Sequence, residues 1–238
     1  MSLKPYLIPT YIVDRIKYPP LHYPMMEFRT SLAVSAALVV LSLASSGFLY
    51  GQLPHTMASH WNASGEVDGR MGRGVAAFML PAILAVLLVF FAVIPRIDPL
   101  KRNIEEFKGY YGGFIVVFTL FMMFVHFHML LWNVGVRLST NVVVPAGVGL
   151  LFIYIGYLLP HTRRNWFIGV RTPWTLSDDR VWEKTHRVGG KLFTASGLVA
   201  LAGALVSDQA VAFIIVPVLA SAAYLILYSY LEYRKLGK

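Results

Sequence analysis

Residues 75–95 read VAAFMLPAILAVLLVFFAVIP, twenty-one positions without a charge or a strong hydrogen-bonding side chain. A helix of that length, rising about 1.5 Å per residue, covers a hydrocarbon core roughly 30 Å thick. Five comparable runs lie outward from it, at 30–50, 113–133, 142–160, 192–207 and 210–231. The run at 192–207 is the shortest, and Gly189, Gly190 and a snorkelling Lys191 extend it. Of the 21 Lys and Arg residues, 18 fall on alternate connections: the leading segment, 96–108, 163–191 and the tail. Only Arg70, Arg73 and Arg137 lie on the others. Because Lys and Arg resist translocation, the expected fold is all-α, a polytopic membrane protein with six transmembrane helices and both termini cytoplasmic. Residues 51–74 then form the main outside loop of a multi-pass plasma-membrane protein.

Composition agrees with a chain whose first partner is the lipid bilayer. Hydrophobic residues make up 57% and charged residues 14%, against about 25% charged in soluble domains. The formal charge of +9 follows from the inside bias, so no direct nucleic-acid partner is expected. Cysteine is absent, which excludes disulfides, thiolate metal sites and thiol nucleophiles. The spacing predicts three parts: a proline-rich cytoplasmic arm at 1–29, two helices with a folded outside loop at 30–95, and a four-helix part at 96–238 carrying a basic loop at 161–191. The arm holds five prolines and no apolar core, unlike a signal peptide.

Within the bundle, Ser196, Ala200 and Ala204 recur every four residues and offer a small-residue packing face. Pro217 interrupts the last run, frees the carbonyl of Phe213 and predicts a bend. Three runs on either side of Arg137 are compatible with a small-solute transporter built on an inverted repeat, although the halves share no sequence similarity.

Two connections carry more chemistry than linkers need. The outside one reads LPHTMASHWNASGEVDGR from Leu53 to Arg70, and Asn62-Ala63-Ser64-Gly65 with Asp68-Gly69 predicts tight turns. One reading is a folded cap, Trp61 anchoring it at the interface while His60, Asn62 and Asp68 satisfy turn backbone. The other is a metal-dependent membrane hydrolase. His126 and His128 sit toward the outer half of the third run, where ionisable groups face a bundle interior or a wet cavity. With His55, His60 and Asp68 they supply imidazole and carboxylate ligands for zinc, and Glu66 a general base. Positions two apart on a helix point about 200° apart, so only one of His126 and His128 can join such a site. No other cofactor is expected.

The inside connection runs from His161 to Arg187. Thr175 and Asp178 fit a capping pattern, predicting a helix toward Gly189 with Val181, Trp182, Thr185 and Val188 along one face. Arg180, Lys184 and Arg187 are then available to lipid phosphates, which makes it a surface-lying lead into the fifth crossing. Arg163, Arg164 and Arg171 are alternatively a pocket for an anionic ligand or an acidic partner protein.

These two loops carry a resemblance. Arg164-Asn165-Trp166-Phe167-Ile168-Gly169-Val170-Arg171-Thr172-Pro173-Trp174-Thr175-Leu176, then Val181 to Arg187 and Gly189-Gly190-Lys191, closely resembles the signature of the SdpI-like membrane proteins. Leu53-Pro54, His60-Trp61-Asn62, Gly65 and Asp68-Gly69 are similar to the small domain that commonly precedes it. The chain departs from that pattern in its proline-rich arm and at Arg70-Met71-Gly72-Arg73. The resemblance implies an immunity or sensing protein, protecting against a secreted peptide toxin or binding another extracytoplasmic ligand, with signal transduction to a regulatory protein inside. It places ligand contacts at His60, Trp61, Asn62 and Asp68, and cytoplasmic function at Arg164, Asn165, Arg171, Trp174, Glu183 and His186.

Overall fold

The computed structural model describes residues 26–206 and 209–237; the arm expected over 1–29 lies outside them except for 26–29. The described chain is mostly helical. Helix α1 (Phe28–Leu49) leads through a 3₁₀ turn (Tyr50–Gln52) into strands β1 (Thr56–Trp61) and β2 (Val67–Gly72). Helices α2 (Arg73–Ile97), α3 (Lys101–Asn133) and α4 (Thr140–Leu158) follow, then a 3₁₀ turn (Leu159–His161), the short α5 (Pro173–Ser177), α6 (Asp179–Gly203) and α7 (Ala210–Arg234). Five segments, Phe28–Gln52, Arg73–Ile97, Lys101–Asn133, Thr140–His161 and Ala210–Arg234, are long and apolar enough to cross a membrane. The outward faces of these helices are apolar, with Val86 70% and Val216 64% exposed, as suits side chains that meet acyl tails. This is a multi-pass membrane protein.

Three features differ from the sequence-based expectation. The connection over 51–74, expected as a turn-rich loop, contains an antiparallel hairpin within an otherwise helical molecule. Helix α6 is continuous from Asp179 but is not among the five segments, because its first half carries Arg180, Glu183, Lys184, Arg187 and Lys191. Helix α3 starts at Lys101, well before the apolar run, and breaks at Phe107 (φ −122°, ψ 16°), which sets its first turns apart from the long apolar part.

Small residues let the helices approach. Ser31, Ser35, Ser42 and Ser46 form a buried stripe on α1, and α3 meets it at Gly112, where a Cβ would stand 2.6 Å from Ser31 Oγ. Helices α4 and α6 pack most extensively, through reciprocal glycines. A Cβ on Gly197 would lie 2.6 Å from the Gly149 carbonyl oxygen, and one on Gly190 would lie 2.8 Å from that of Gly156. The Ser196 and Ala200 face is buried and packs on α7, with Ser196 Oγ 3.2 Å from Ser221 Oγ. Pro217 lies within α7, which continues through it. Apolar clusters close both ends: Leu53, Met57, Ala76, Ala77 and Leu130 beneath the hairpin, and Ile94, Ile104, Phe107, Tyr111, Ile115 and Leu158 at the opposite end.

Candidate functional site

The hairpin is held by its own turn and by the helices below it. Asn62 Oδ1 accepts from the backbone N–H of Ser64 (2.9 Å) and Glu66 (3.0 Å), and Gly65 takes φ +78°, a conformation costly for residues with a Cβ. His60 packs on Gly69, where a Cβ would come 2.7 Å from His60 Cβ, and its Nδ1 lies 2.5 Å from Asp68 Oδ1. That pair is exposed. The register shifts around His60, as a bulge does when it re-aims a side chain.

Docking comes from Arg73 and from two asparagines that composition and spacing did not single out. Asn133, the last residue of α3, acts as a strand surrogate. Its Oδ1 accepts from Ala58 N–H (2.8 Å), and its Nδ2 donates to Ala58 C=O (2.9 Å) and to Met129 C=O (2.8 Å). Asn141, in the first turn of α4, donates to Ala63 C=O at 3.1 Å. Arg73 donates to the carbonyls of Tyr50 and Leu53 and lies over the Tyr50 ring. The only sequence signal for Asn133 was a polar residue closing an apolar run beside the loop.

The histidines proposed as zinc ligands point elsewhere. His126 is buried with Nε2 2.9 Å from Ser46 Oγ, and Ser46 Oγ lies 2.6 Å from the Ala77 carbonyl oxygen, which ties α1, α2 and α3 together. His128 Nε2 lies 2.9 Å from Thr140 Oγ1, and its ring contacts those of Trp61 and Trp132. His60 and Asp68 are brought together; His55, His126 and His128 do not join them. Among the described residues no three His, Asp or Glu side chains gather closely enough to hold a metal ion.

At the other end the connection 161–191 forms an ordered platform. Asn165 is fully buried and satisfied: its amide donates to the carbonyls of Arg163 and Ile168, and its oxygen accepts from Phe167 and Ile168 N–H. Asp98 ties the start of α3 to the platform, accepting from Leu100 N–H (2.6 Å) and Trp166 N–H (2.8 Å). His186 Nε2 accepts from Val170 N–H at 2.9 Å, so the ring proton sits on Nδ1 and is donated to Trp182 C=O at 2.8 Å. Burial pushes the His186 pKa down to about 4, against a smaller upward pull from that carbonyl. Trp182 stacks on the imidazole at 4.0 Å, and Gly169, at φ +113°, leaves room for Nε2, which a Cβ would approach to 2.3 Å.

The capping pattern is real but displaced. Thr172 caps α5 in a box with Thr175, and Asp178 caps α6. Val181, Trp182 and Thr185 face protein rather than lipid. Arg180 pairs with Asp178, Lys184 with Glu232 and Arg187 with Glu183. The arginines read as an anion pocket are likewise engaged: Arg163 with Glu106, Arg164 with Asp179 and the Leu176 carbonyl, Arg171 with the Trp166 carbonyl. Each of the three is thus held by an acid or a backbone carbonyl of this chain. Trp174 contacts Tyr230 of α7, so the platform fixes α6 and α7 to one another.

Comparison with known proteins falls on these same two regions. Residues 37–85, from α1 through the hairpin into α2, match a domain of unknown function, DUF1648. Residues 161–229, the platform with α6 and most of α7, match the SdpI/YfhL protein family. The chain is 25% identical over 205 residues to the immunity protein SdpI of Bacillus subtilis (strain 168), covering 86% of this chain and 96% of that protein. No solved structure matches. The chain is thus SdpI-like, with its match to the SdpI/YfhL protein family at 161–229 preceded by its match to DUF1648 at 37–85.

Proposed function

We propose that this chain is a membrane immunity protein whose hairpin engages a secreted peptide toxin, or another extracytoplasmic ligand, at the outer face. The observation that carries this reading is the hairpin itself. It presents the exposed His60–Asp68 pair on a scaffold docked to the ends of α3 and α4 by Asn133 and Asn141. The relationship to an immunity protein over most of both chains supplies the class of function. A ligand that prefers one arrangement of the hairpin has a direct mechanical route to α3 and α4, and through α4 to α6. The platform serves as the fixed end of that route.

The reading takes six crossings with both termini inside. Support for α6 as the sixth comes from its register on α4, since Gly149 opposes Gly197 and Gly156 opposes Gly190 in antiparallel order. The same register sets Gly203 level with Val143, close to the start of α4 at Thr140. If α4 crosses the membrane, α6 crosses the same depth beside it, shielded by α4 and α7. The bias of Lys and Arg toward the platform end supports its placement inside.

The test is protection. Cells that lack their own immunity protein and meet the secreted peptide toxin should survive when they express this chain. The Asp68→Ala variant should protect poorly while reaching the membrane at the same level. Full protection by that variant removes the hairpin pair from the mechanism.

A further inference from the structure

A cavity of about 480 Å³ opens at the platform end, between the start of α1, the end of α2 and the region of α3 around its break at Phe107. Its lining divides into two halves. Phe28, Leu32 and Ala92, all half-buried, and the buried Pro95 are apolar, and they lie on the turns of α1 and α2 next to the apolar runs of those helices. Arg29, Arg96 and Lys108 line the rest with Glu27 and Glu105. Glu105 is neutralised by Lys108 at 2.7 Å, and Lys108 also lies over the Phe28 ring. Arg29 and Arg96 have no acidic partner among the described residues, in contrast to Arg163, Arg164, Arg180 and Arg187, which all pair.

We propose that this cavity binds one phospholipid, its phosphate held by the guanidinium groups of Arg29 and Arg96 and its upper acyl chain laid on Phe28, Leu32 and Ala92. The two-part lining selects the source of the phosphate. A free phosphate ion satisfies only the charged half, whereas a phospholipid satisfies both, at the depth where the apolar run of α2 gives way to Arg96. Guanidinium groups suit a phosphodiester because their fork donates two parallel hydrogen bonds. Glu27, on the rim, disfavours a headgroup with more than one negative charge, so a singly charged lipid such as phosphatidylglycerol fits best. The site lies at the opposite end from the hairpin and does not depend on the proposed immunity role.

Native mass spectrometry of the full chain, released from nanodiscs containing phosphatidylglycerol in a phosphatidylcholine background, tests this. Wild type should retain one phosphatidylglycerol, and Arg29→Gln/Arg96→Gln should weaken that binding at least about tenfold, as loss of two charge-assisted contacts implies. Arg70→Gln/Arg137→Gln removes the same charge at the hairpin end and should bind as wild type does. Elution profile and thermal transition check that each variant is folded; if the double Gln variant is not, Arg29→Lys/Arg96→Lys replaces it and should show intermediate retention. Equal retention in all folded variants overturns the proposal. Displacement of the lipid by millimolar inorganic phosphate overturns it too, because it marks a phosphate site rather than a lipid site.

Discussion

The amide of Asn133 does what a third strand would do for the hairpin, and only an amide can do it. Its oxygen accepts from Ala58 N–H while its nitrogen donates to Ala58 C=O, and Ala58 is buried. Asn133→Asp keeps the acceptor and loses the donor, leaving a carbonyl facing a carboxylate. Asn133→Ala leaves both backbone groups without a partner, at about 1–3 kcal/mol for each buried group left unsatisfied. Asn133→Ala should speed hydrogen exchange at Ala58, and both variants should speed proteolytic nicking at the 62–65 turn, with little change at the platform. Unchanged exchange at Ala58 would show that apolar contacts of Met57 and Leu53 suffice to dock the hairpin. His186 gives a second prediction at this scale, one with a sign. Its folded pKa of about 4 lies below the ordinary 6.5, so the unfolded chain takes up the proton first as pH falls. Stability from the neutral imidazole is therefore present above pH 6.5 and lost progressively between 6.5 and 4, by up to about 3 kcal/mol at ~1.4 kcal/mol per unit. The thermal transition of the detergent-solubilised protein should drop from pH 7.5 to pH 5. In His186→Gln it should start lower and fall less, and a parallel fall in both proteins assigns the acid sensitivity to other groups.

At the scale of elements, the pair α4–α6 depends on four glycines. A methyl group at Gly156 would come 2.6 Å from Thr194 N and 2.7 Å from the Gly190 carbonyl oxygen, backbone atoms that cannot rotate away. Gly156→Ala and Gly190→Ala should each lower the thermal transition by forcing the helices apart, at about 1–3 kcal/mol. The double variant should cost less than the two together, since the first substitution already opens the gap. Gly47→Ala, where a Cβ meets nothing within 4 Å, should be neutral or slightly stabilising because alanine favours helix over glycine. How much of this was legible in the sequence follows from the range of each interaction. Apolar runs report helices because burial in lipid is a property of each segment alone, and the Asn62 to Gly65 turn is equally local. The strands of the hairpin are short, and the edge of β1 is docked by Asn133, 75 positions from Ala58, so no local pattern announced them. The Gly149/Gly197 and Gly156/Gly190 pairing stayed invisible for the same reason, while Ser196 and Ala200 were readable as a small-residue face without their partner. The arginines of the platform looked available because the residues that engage them, Glu106 and the Leu176 and Trp166 carbonyls, meet them only once the chain has folded.

For the whole molecule, the question with the widest consequence is the fate of α6, because one crossing decides whether the two ends of the chain share a side. Length and composition pick out five segments, and five crossings put the termini on opposite faces. Six put them on the same face. Six is favoured because α6 is shielded where it is least apolar: Gly189 and Gly190 are buried against Leu159, Leu225 and Pro160, and Lys184 reaches Glu232 on α7 at 2.7 Å. Its charged first half stands at the platform end, so only the apolar part beyond Lys191 needs to enter the bilayer. Absence of cysteine makes the test direct, since single cysteines can be placed at Ser64 in the hairpin, Ser177 in the platform and Gly237 at the tail. An impermeant maleimide added to intact cells should label Ser64→Cys alone, and after permeabilisation all three. Labelling of Gly237→Cys in intact cells together with Ser64→Cys means that α6 turns back without crossing. In that case the α4–α6 glycine contact joins a spanning helix to a re-entrant one, and α7 runs in the reverse direction through the membrane.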